Sequence, residues 1–344
     1  MKKTKVLVSL VTFNDESFLK GCLDSLKEQT VPLNVMIHDN ASTDKTVEII
    51  RNAGFEKRVS PRNIGYSGGH NLNLRTNGYD YALLLNADVK LASNYLEILL
   101  DSIRFFPQVG LVGGKMLRMD SDGNASCQGT FPVIDSTGIY FTPSLRHFDR
   151  GSGELDNGQF DIPQYVFGIT GAALLCRYSF IQDLTLRTGE FLDEEFFAYR
   201  EDAELAWRAQ STGWKALYVP TAVAHHHRRG ASTLRRNIQP SINYHSLKNR
   251  YLMRMKNMGP AVKRRCFPYA WIRDLGIVFY VLLFEWNSLP ALFYAWRLRH
   301  CFQKKKMKVE SSRLIKDSDI ANWFAFIPQA QDLSPGVLNK VTET

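Results

Sequence analysis

Asn86 and Asp88 close an apolar run, "YALLLNADVK", where a buried strand would ordinarily end on residues that carry no chemistry. An Asn-x-Asp at a strand end is a variant of the Asp-x-Asp pattern in which a carboxylate holds Mg²⁺ or Mn²⁺ against a diphosphate. Such hard ions take oxygen ligands and keep waters and substrate phosphates in their remaining positions, so one or two protein carboxylates suffice. An aspartate in this position also serves as a turn former or helix cap. A second stretch, "RNIGYSGGHNLN", carries Gly65, Gly68 and Gly69, which permit close backbone approach to a phosphate, together with the amides Asn63 and Asn71. It is neither GxGxxG nor the Walker pattern, so a ligand-free glycine turn is the competing reading. Adjacent carboxylates, Glu201 and Asp202, stand at a helix start, where acids also complement the helix dipole.

The elements that must position these groups alternate. "KVLVSLVTF" reads as a strand, "ESFLKGCLDSLKEQ" as an amphipathic helix, "LNVMIHD" as a strand and "STDKTVEIIRNAG" as a helix ending near Gly54. "FEKRVS", a glycine-rich loop, a helix to Asn77 and "YDYALLLNADV" follow. This order predicts a mostly parallel sheet flanked by helices on both faces. Ligands of such sheets bind beyond the carboxyl ends of the strands. Asp39, Asn40, Asn86 and Asp88 each sit where a predicted strand stops, so they share one crevice.

From about residue 115 to 165 the pattern loosens into loops or short strands forming one wall of the site. A helix from about Glu201 to Thr212 follows, with Glu204 and Arg208 spaced to pair on its surface. Beyond residue 235 the material changes. "INYHSLKNRYLMRMKN" is a basic helix, and "LGIVFYVLLF" is an apolar run of ten, too short to span a bilayer core. Anchored by Trp271, Trp286 and Trp296, it fits a helix lying in a membrane interface. A helical subdomain packed on the sheet, or a homodimer interface, is the alternative.

Charge follows the same division. The chain carries a net +9, yet residues 226–310 hold 18 Lys and Arg against 3 Asp and Glu, leaving the rest acidic. An acidic body with a basic C-terminal part suits an anionic membrane surface or polyphosphate ligand better than nucleic acid. The five cysteines show no paired spacing, which reads as reduced thiols in a cytoplasmic protein without a zinc site. The opening "MKKTKVLVSLVTF" imitates a signal peptide but lacks a cleavage site and runs into "NDES", so it reads as a first strand.

Taken in order, "VSLVTFND", "HDNASTD", "RNIGYSGGHN", "LLLNADV", "GAALLCR", "FLDEEFFAYREDAELAWRAQSTGW" and "YVPTAVAHHHRRGAST" resemble the inverting family 2 glycosyltransferases of the GT-A fold, and within them the rhamnosyltransferase-like branch. The resemblance covers roughly residues 4 to 235. It implies a Rossmann-like GT-A catalytic domain over 1–235 and leaves 236–344 as a helical, basic, membrane-associating or oligomerising extension.

The resemblance also implies roles. Asp39 matches the base-contacting aspartate, with Thr12 and Asn14 of the first strand end, Asn40, Asn63, Gly65, Asn71 and Asn86 around the nucleotide sugar. Asp88 matches the metal-binding aspartate for Mg²⁺ or Mn²⁺, and Asn86 stands where many relatives carry Asp. Asp202 matches the general base, beside Glu201. His226 matches a metal or diphosphate contact, with His225 the neighbouring possibility, and Arg228 and Arg229 would neutralise the leaving diphosphate. The expected reaction moves a rhamnose-like sugar from a dTDP- or UDP-linked donor to a saccharide or polyprenyl-diphosphate-linked acceptor for cell-envelope polysaccharide, at the inner face of the cytoplasmic membrane. A nucleotidyltransferase would want a glycine- and lysine-rich loop after the first strand, which "VTFNDES" lacks. A nucleic-acid binder leaves the convergent carboxylates without purpose.

Overall fold

The computed structural model describes residues 4–228 and 239–333. Arg229 and the boundary expected at 235/236 lie outside those residues. Period-two alternation builds the middle of the sheet: in β1 (Val6–Thr12), Val6, Val8 and Leu10 face one core and Leu7 faces another. Helix α1 (Leu19–Lys27) sets Leu19, Cys22, Leu23 and Leu26 against the first core at helical spacing. Then come β2 (Leu33–Asp39), α2 (Thr46–Ala53), β3 (Glu56–Val59), α3 (Gly65–Leu74) and β4 (Tyr81–Asn86). Helix α2 stops at Gly54, whose φ of +78° is left-handed. The glycine-rich stretch is helical rather than a loop. A Cβ on Gly69 would lie 2.8 Å from Val11, so this glycine lets α3 sit directly on β1.

β5 (Val89–Leu91), α4 (Tyr95–Arg104) and β6 (Val109–Arg118) follow. The loosely patterned stretch holds β7 (Cys127–Gln128), β8 (Phe131–Pro132), β9 (Ile134–Ser136), β10 (Ile139–Phe141), β11 (His147–Asp149) and β12 (Gln164–Val166). Next are β13 (Ala173–Arg177), α5 (Tyr178–Thr188), α6 (Glu201–Ser211) and β14 (Lys215–His226). Helices α7 (Pro240–Asn257), α8 (Pro260–Phe284), α9 (Leu289–Arg297), α10 (Arg299–Ser311) and α11 (Asp317–Ala321) lead to a short β15 (Gln331–Asp332).

The main sheet runs β15-β12-β14-β6-β13-β4-β1-β2-β3, with β5 beside β14 and β9 beside β6. Strands β3, β2, β1 and β4 are parallel, and their register aligns Thr12 with Asp39 and Val11 with Asn86. The expected parallel sheet therefore describes the half that carries those strand ends. The other half is mixed, because β13 enters antiparallel between β4 and β6.

The C-terminal helices share a core with the preceding part of the chain: Leu252, Met253, Val262, Cys266 and Phe302 meet Phe196, Ala203 and Trp207. Glu204 and Arg208 pair as their spacing predicts, but inside rather than on the surface, with side chains 1% and 0% exposed. Helix α7 covers them and brings Lys256 to 3.0 Å from Glu204. The apolar run of ten belongs to a longer helix, the 25-residue α8, because Pro260 at its first turn starts the helix well upstream. By length and composition alone, α8 is the one helix among the described residues that could cross a membrane. It nevertheless carries Lys263, Arg264, Arg265, Arg273 and Asp274, charges that are costly at bilayer depth. Its early turns pack through Val262, Cys266 and Ala270, while Trp271, Phe279 and Phe284 are more than half exposed.

Candidate active site

The carboxyl ends of β1, β2 and β4 open on a crevice of about 900 Å³, lined in part by Thr12, Asn14, Asn40, Asn63, Gly65, Asn86 and Asp88. Asp39 is fully buried beside Thr12: its Oδ1 accepts from the Thr12 hydroxyl at 3.1 Å and its Oδ2 from the Ser42 N–H at 3.0 Å. Asn40 ties two loops, donating to the Gly65 carbonyl and accepting from the Ile64 N–H, both at 3.1 Å. Asn14, at φ +54°, accepts from the Thr43 N–H at 2.8 Å. Asn63 accepts from the Gly65 N–H at 2.8 Å. Gly65 is obligatory here, with φ +79° and the Phe197 carbonyl oxygen 2.4 Å from where a Cβ would stand.

Asn71 does not join this group. Its amide donates to the Leu192 carbonyl at 2.9 Å and to Glu194 at 3.0 Å, and accepts from the Leu192 N–H at 3.2 Å. It braces α3 against the loop that leads to α6, which leaves no free amide N–H for a nucleotide.

The turn from β4 into β5 places Asp88 beside the end of β14, where strand alternation separates the histidines. His226 faces Asp88, with Nε2 3.4 Å from Oδ1, and its Nδ1–H donates to Asp135 at 2.8 Å. His225 faces away, beside Lys90, and His227 stacks on Phe18 at 4.2 Å. Burial would lower the His226 pKa, but hydrogen bonds to Asp135 and Asp88 raise it to about 9. Asp135, on β9 and 0% exposed, also binds the Arg228 Nε at 2.9 Å, and Arg228 reaches on to Asp149. Arg228 is therefore engaged by two carboxylates, and clamping a diphosphate would require it to leave them.

No group of three or more potential metal ligands occurs among the described residues. Asp88 and His226 form a two-residue donor set, one carboxylate and one imidazole. This fits a divalent ion that takes its other ligands from substrate phosphates and water. Asp135 holds Nδ1–H, so such an ion would bind at Nε2, in place of the proton that Asp88 favours there.

Just before α6 the backbone is strained: Phe197, Tyr199 and Arg200 have φ of +65°, +69° and +72°. Asn249 of α7 holds this turn, its Nδ2 lying 2.8, 2.8 and 2.7 Å from the carbonyls of Phe196, Ala198 and Tyr199. Asn249→Ala removes this donor from all three carbonyls, of which that of Phe196 keeps the Ala198 N–H at 2.8 Å. The expected loss is about 1–3 kcal/mol in urea denaturation.

The turn aims Glu201 and Asp202. Asp202 accepts from the Ala203 N–H at 2.7 Å and the Gly171 N–H at 3.1 Å. It is not on the crevice wall. Tyr66 is, and its hydroxyl donates to the Gly171 carbonyl at 2.7 Å, so Asp202 stands one residue behind the wall. Burial, then the charge of Asp149, raises the Asp202 pKa. Glu201 is 8% exposed, its Oε2 has no partner, and burial followed by Asp202 pushes it well above the usual range. Two adjacent carboxyls with raised pKa values are suited to taking up a proton.

Tyr66, Asp135, Asp149, His245 and Asn249 are absent from the sequence-based set. Asp135 had a local signal, an acid inside the apolar "PVID". His245 and Asn249 had none, because α7 brings them in from the C-terminal region; His245 stacks on Phe197 at 4.7 Å and lines the crevice.

Residues 8–180, half of the chain, match the family described as Glycosyl transferase family 2. Over 252 residues, 64% of this chain and 75% of the relative, it is 26% identical to the N-acetylglucosaminyl-diphospho-decaprenol L-rhamnosyltransferase of Mycobacterium tuberculosis. Over 128 residues, 34% of this chain and 50% of the relative, it is 31% identical to an uncharacterized glycosyltransferase of Haemophilus influenzae. Among solved structures, S. aureus TarS 1-349 superposes with a TM-score of 0.52 at 16% identity, covering 90% of this chain and 89% of that one. GalNAc-T7 with UDP, GalNAc and Mn2+ gives 0.54 at 17% identity over 74% of this chain and 48% of that one. These likenesses concern the fold, which is GT-A. With a family match spanning β1 to α5 and the paired carboxyls following it, the chain belongs to glycosyl transferase family 2 and is a glycosyltransferase.

Proposed function

We propose that this enzyme transfers a sugar, with rhamnose favoured, from a nucleoside diphosphate donor to a lipid-linked saccharide acceptor, with inversion at the anomeric carbon. The observation that carries the reading is the convergence of Asp39, Asn86, Asp88 and His226 at one set of strand ends, with Asp202 one residue behind Tyr66. The acceptor oxygen attacks the anomeric carbon as the bond from that carbon to the diphosphate oxygen breaks. The electron pair leaves with the diphosphate and the acceptor proton goes to Asp202. Asp88 and His226 would hold Mg²⁺ or Mn²⁺, which when bound neutralises charge on the departing diphosphate. Thr12 and Asn14 line the base end of the crevice, and Asp39 lies buried behind Thr12, so a contact from its carboxylate to the base would require it to give up the Thr12 hydroxyl or the Ser42 N–H.

Support for a nucleotide donor comes from TarS, solved with UDP and with UDP-GlcNAc, and from GalNAc-T7 with UDP and Mn2+. Support for rhamnose and a polyprenyl-linked acceptor comes from the name of the mycobacterial relative. Peripheral contact with the inner face of the cytoplasmic membrane is supported by Trp271, Trp286 and Trp296, all more than half exposed, beside the basic C-terminal region. Calorimetric titration of UDP and dTDP, with and without Mn²⁺, tests the donor reading. The expected result is metal-dependent binding of one of them, lost in Asp88→Ala. Absence of binding under every metal condition would sink it.

A further inference from the structure

The loop joining β10 to β11 is ringed by guanidinium groups from three other elements. Arg250 of α7 donates to the Ser144 and Leu145 carbonyls at 3.2 and 3.4 Å. Arg273 of α8 donates to the Ser144 hydroxyl at 3.4 Å, and Arg200, just before α6, donates to His147 Nδ1 at 3.0 Å. Arg146, on the loop itself, lies 4.0 Å from the centre of the Phe148 ring. Arg250 is neutralised by Asp274 at 2.9 Å. Arg146 and Arg200 hydrogen-bond or ion-pair with no carboxylate among the described residues; the remaining hydrogen bonds of Arg200 go to the Ser246 carbonyl and hydroxyl. The electrostatic consequence is visible in the neighbours. Burial, then Arg250, Arg273 and Arg146, pushes Arg200 down to about 9 against the opposing pull of Asp202, and burial followed by Arg200, Arg146, Arg228 and Arg250 holds His147 well below its ordinary value. An anion placed here relieves that repulsion.

The cluster joins two other features. On one side, β11 runs from His147 to Asp149, which binds Arg228 and acts electrostatically on Asp202, while Arg200 directly precedes Glu201 and Asp202. On the other side, Arg273 is also the charged end of an apolar groove of about 410 Å³ on α8, lined by Gly276, Ile277, Tyr280 and Val281. Above Gly276 there is open space, with nothing within 4 Å of its Cβ position. A molecule with a strongly anionic group, an apolar chain and a hydroxyl would match the arginines, the groove and Asp202 in turn.

We propose that Arg146, Arg200 and Arg273 hold the diphosphate of a polyisoprenoid-linked acceptor whose hydrocarbon chain lies in the α8 groove. This rests on the glycosyltransferase reading above and names the site of its acceptor. A nucleic acid would satisfy the arginines and leave the groove empty, which favours the isoprenoid.

The test uses the full chain, with farnesyl diphosphate, inorganic pyrophosphate and farnesol titrated separately in chelator-containing buffer. Farnesyl diphosphate is expected to bind about tenfold or more tightly than either part alone, and the Arg146→Glu/Arg273→Glu double variant to lose about tenfold or more of that affinity. Asp88→Ala is expected to leave it unchanged, which separates this site from the donor crevice. Arg146→Gln, at an exposed position, keeps the test open should the double variant unfold, with an expected loss of about threefold. No binding by the wild type, or equal binding by wild type and variants, overturns the assignment. UDP and dTDP titrations with Mn²⁺ on the same samples judge the donor reading independently, so either reading can fail while the other stands.

Discussion

Asp202→Asn is expected to lower kcat by about 10²- to 10⁴-fold, the range supplied by a positioned general base. The substitution keeps the size of the side chain and removes proton acceptance, at the cost of one of the two bonds from the Ala203 and Gly171 N–H groups, because the new amide nitrogen cannot accept. Donor binding, read by calorimetry, should therefore stay close to wild type while nucleotide release under saturating donor and acceptor collapses. A parallel loss of donor affinity would show that Asp202 serves binding instead. The pH dependence has a defined sign. Burial and Asp149 raise the Asp202 pKa, and the deprotonated form accepts the proton, so activity should rise with pH through a midpoint above the ordinary 3.8 and be lost below it. Asp149→Asn, which removes the raising charge, should move that midpoint down. Glu201→Gln mimics the protonated form that burial already favours, so its effect on kcat should be much smaller.

Lys256→Ala is expected to cost about 3–5 kcal/mol, the penalty for breaking a buried ion cluster from one side. The Lys256 ammonium, with its side chain 0% exposed, sits 2.8 Å from Glu190, 2.9 Å from Asp193 and 3.0 Å from Glu204. Lys305 and Arg208 share these carboxylates, so removal leaves the cluster under-neutralised without emptying it. The urea midpoint should fall with the slope unchanged; a loss under 1 kcal/mol would mean that water or Lys305 compensates. Burial alone would raise Asp193, but Lys256 and Lys305 together hold it well below 3.8. A depressed carboxylate contributes stability above its unfolded pKa and loses it as pH falls, so wild-type stability should decline below about pH 4 and the variant should show less of that decline. Function should suffer with stability, because α7 also carries Asn249 and His245 to the turn before Glu201.

The strand ends were legible in the sequence for a local reason. Buried strands read as apolar runs, and a polar residue that closes such a run marks the rim of the sheet, which is where Thr12, Asp39, Asn86 and Asp88 lie. Helix periodicity likewise located α1, α2 and α6. The same local rules could not say that Asn71 braces a loop, since an amide in a glycine-rich stretch looks alike whether it meets a phosphate or the Leu192 backbone. Nor could they bury Glu204 and Arg208: a spacing of four is a surface pair until another helix covers it, and the covering Lys256 lies far along the chain on α7. Asp135 behind His226, Tyr66 before Asp202 and the arginine ring around Ser144 share that origin. Periodicity reports which side of its own element a residue faces, whereas a site is made by what packs against that side. That depends on contacts between segments far apart in the chain, and these exist once the core has closed.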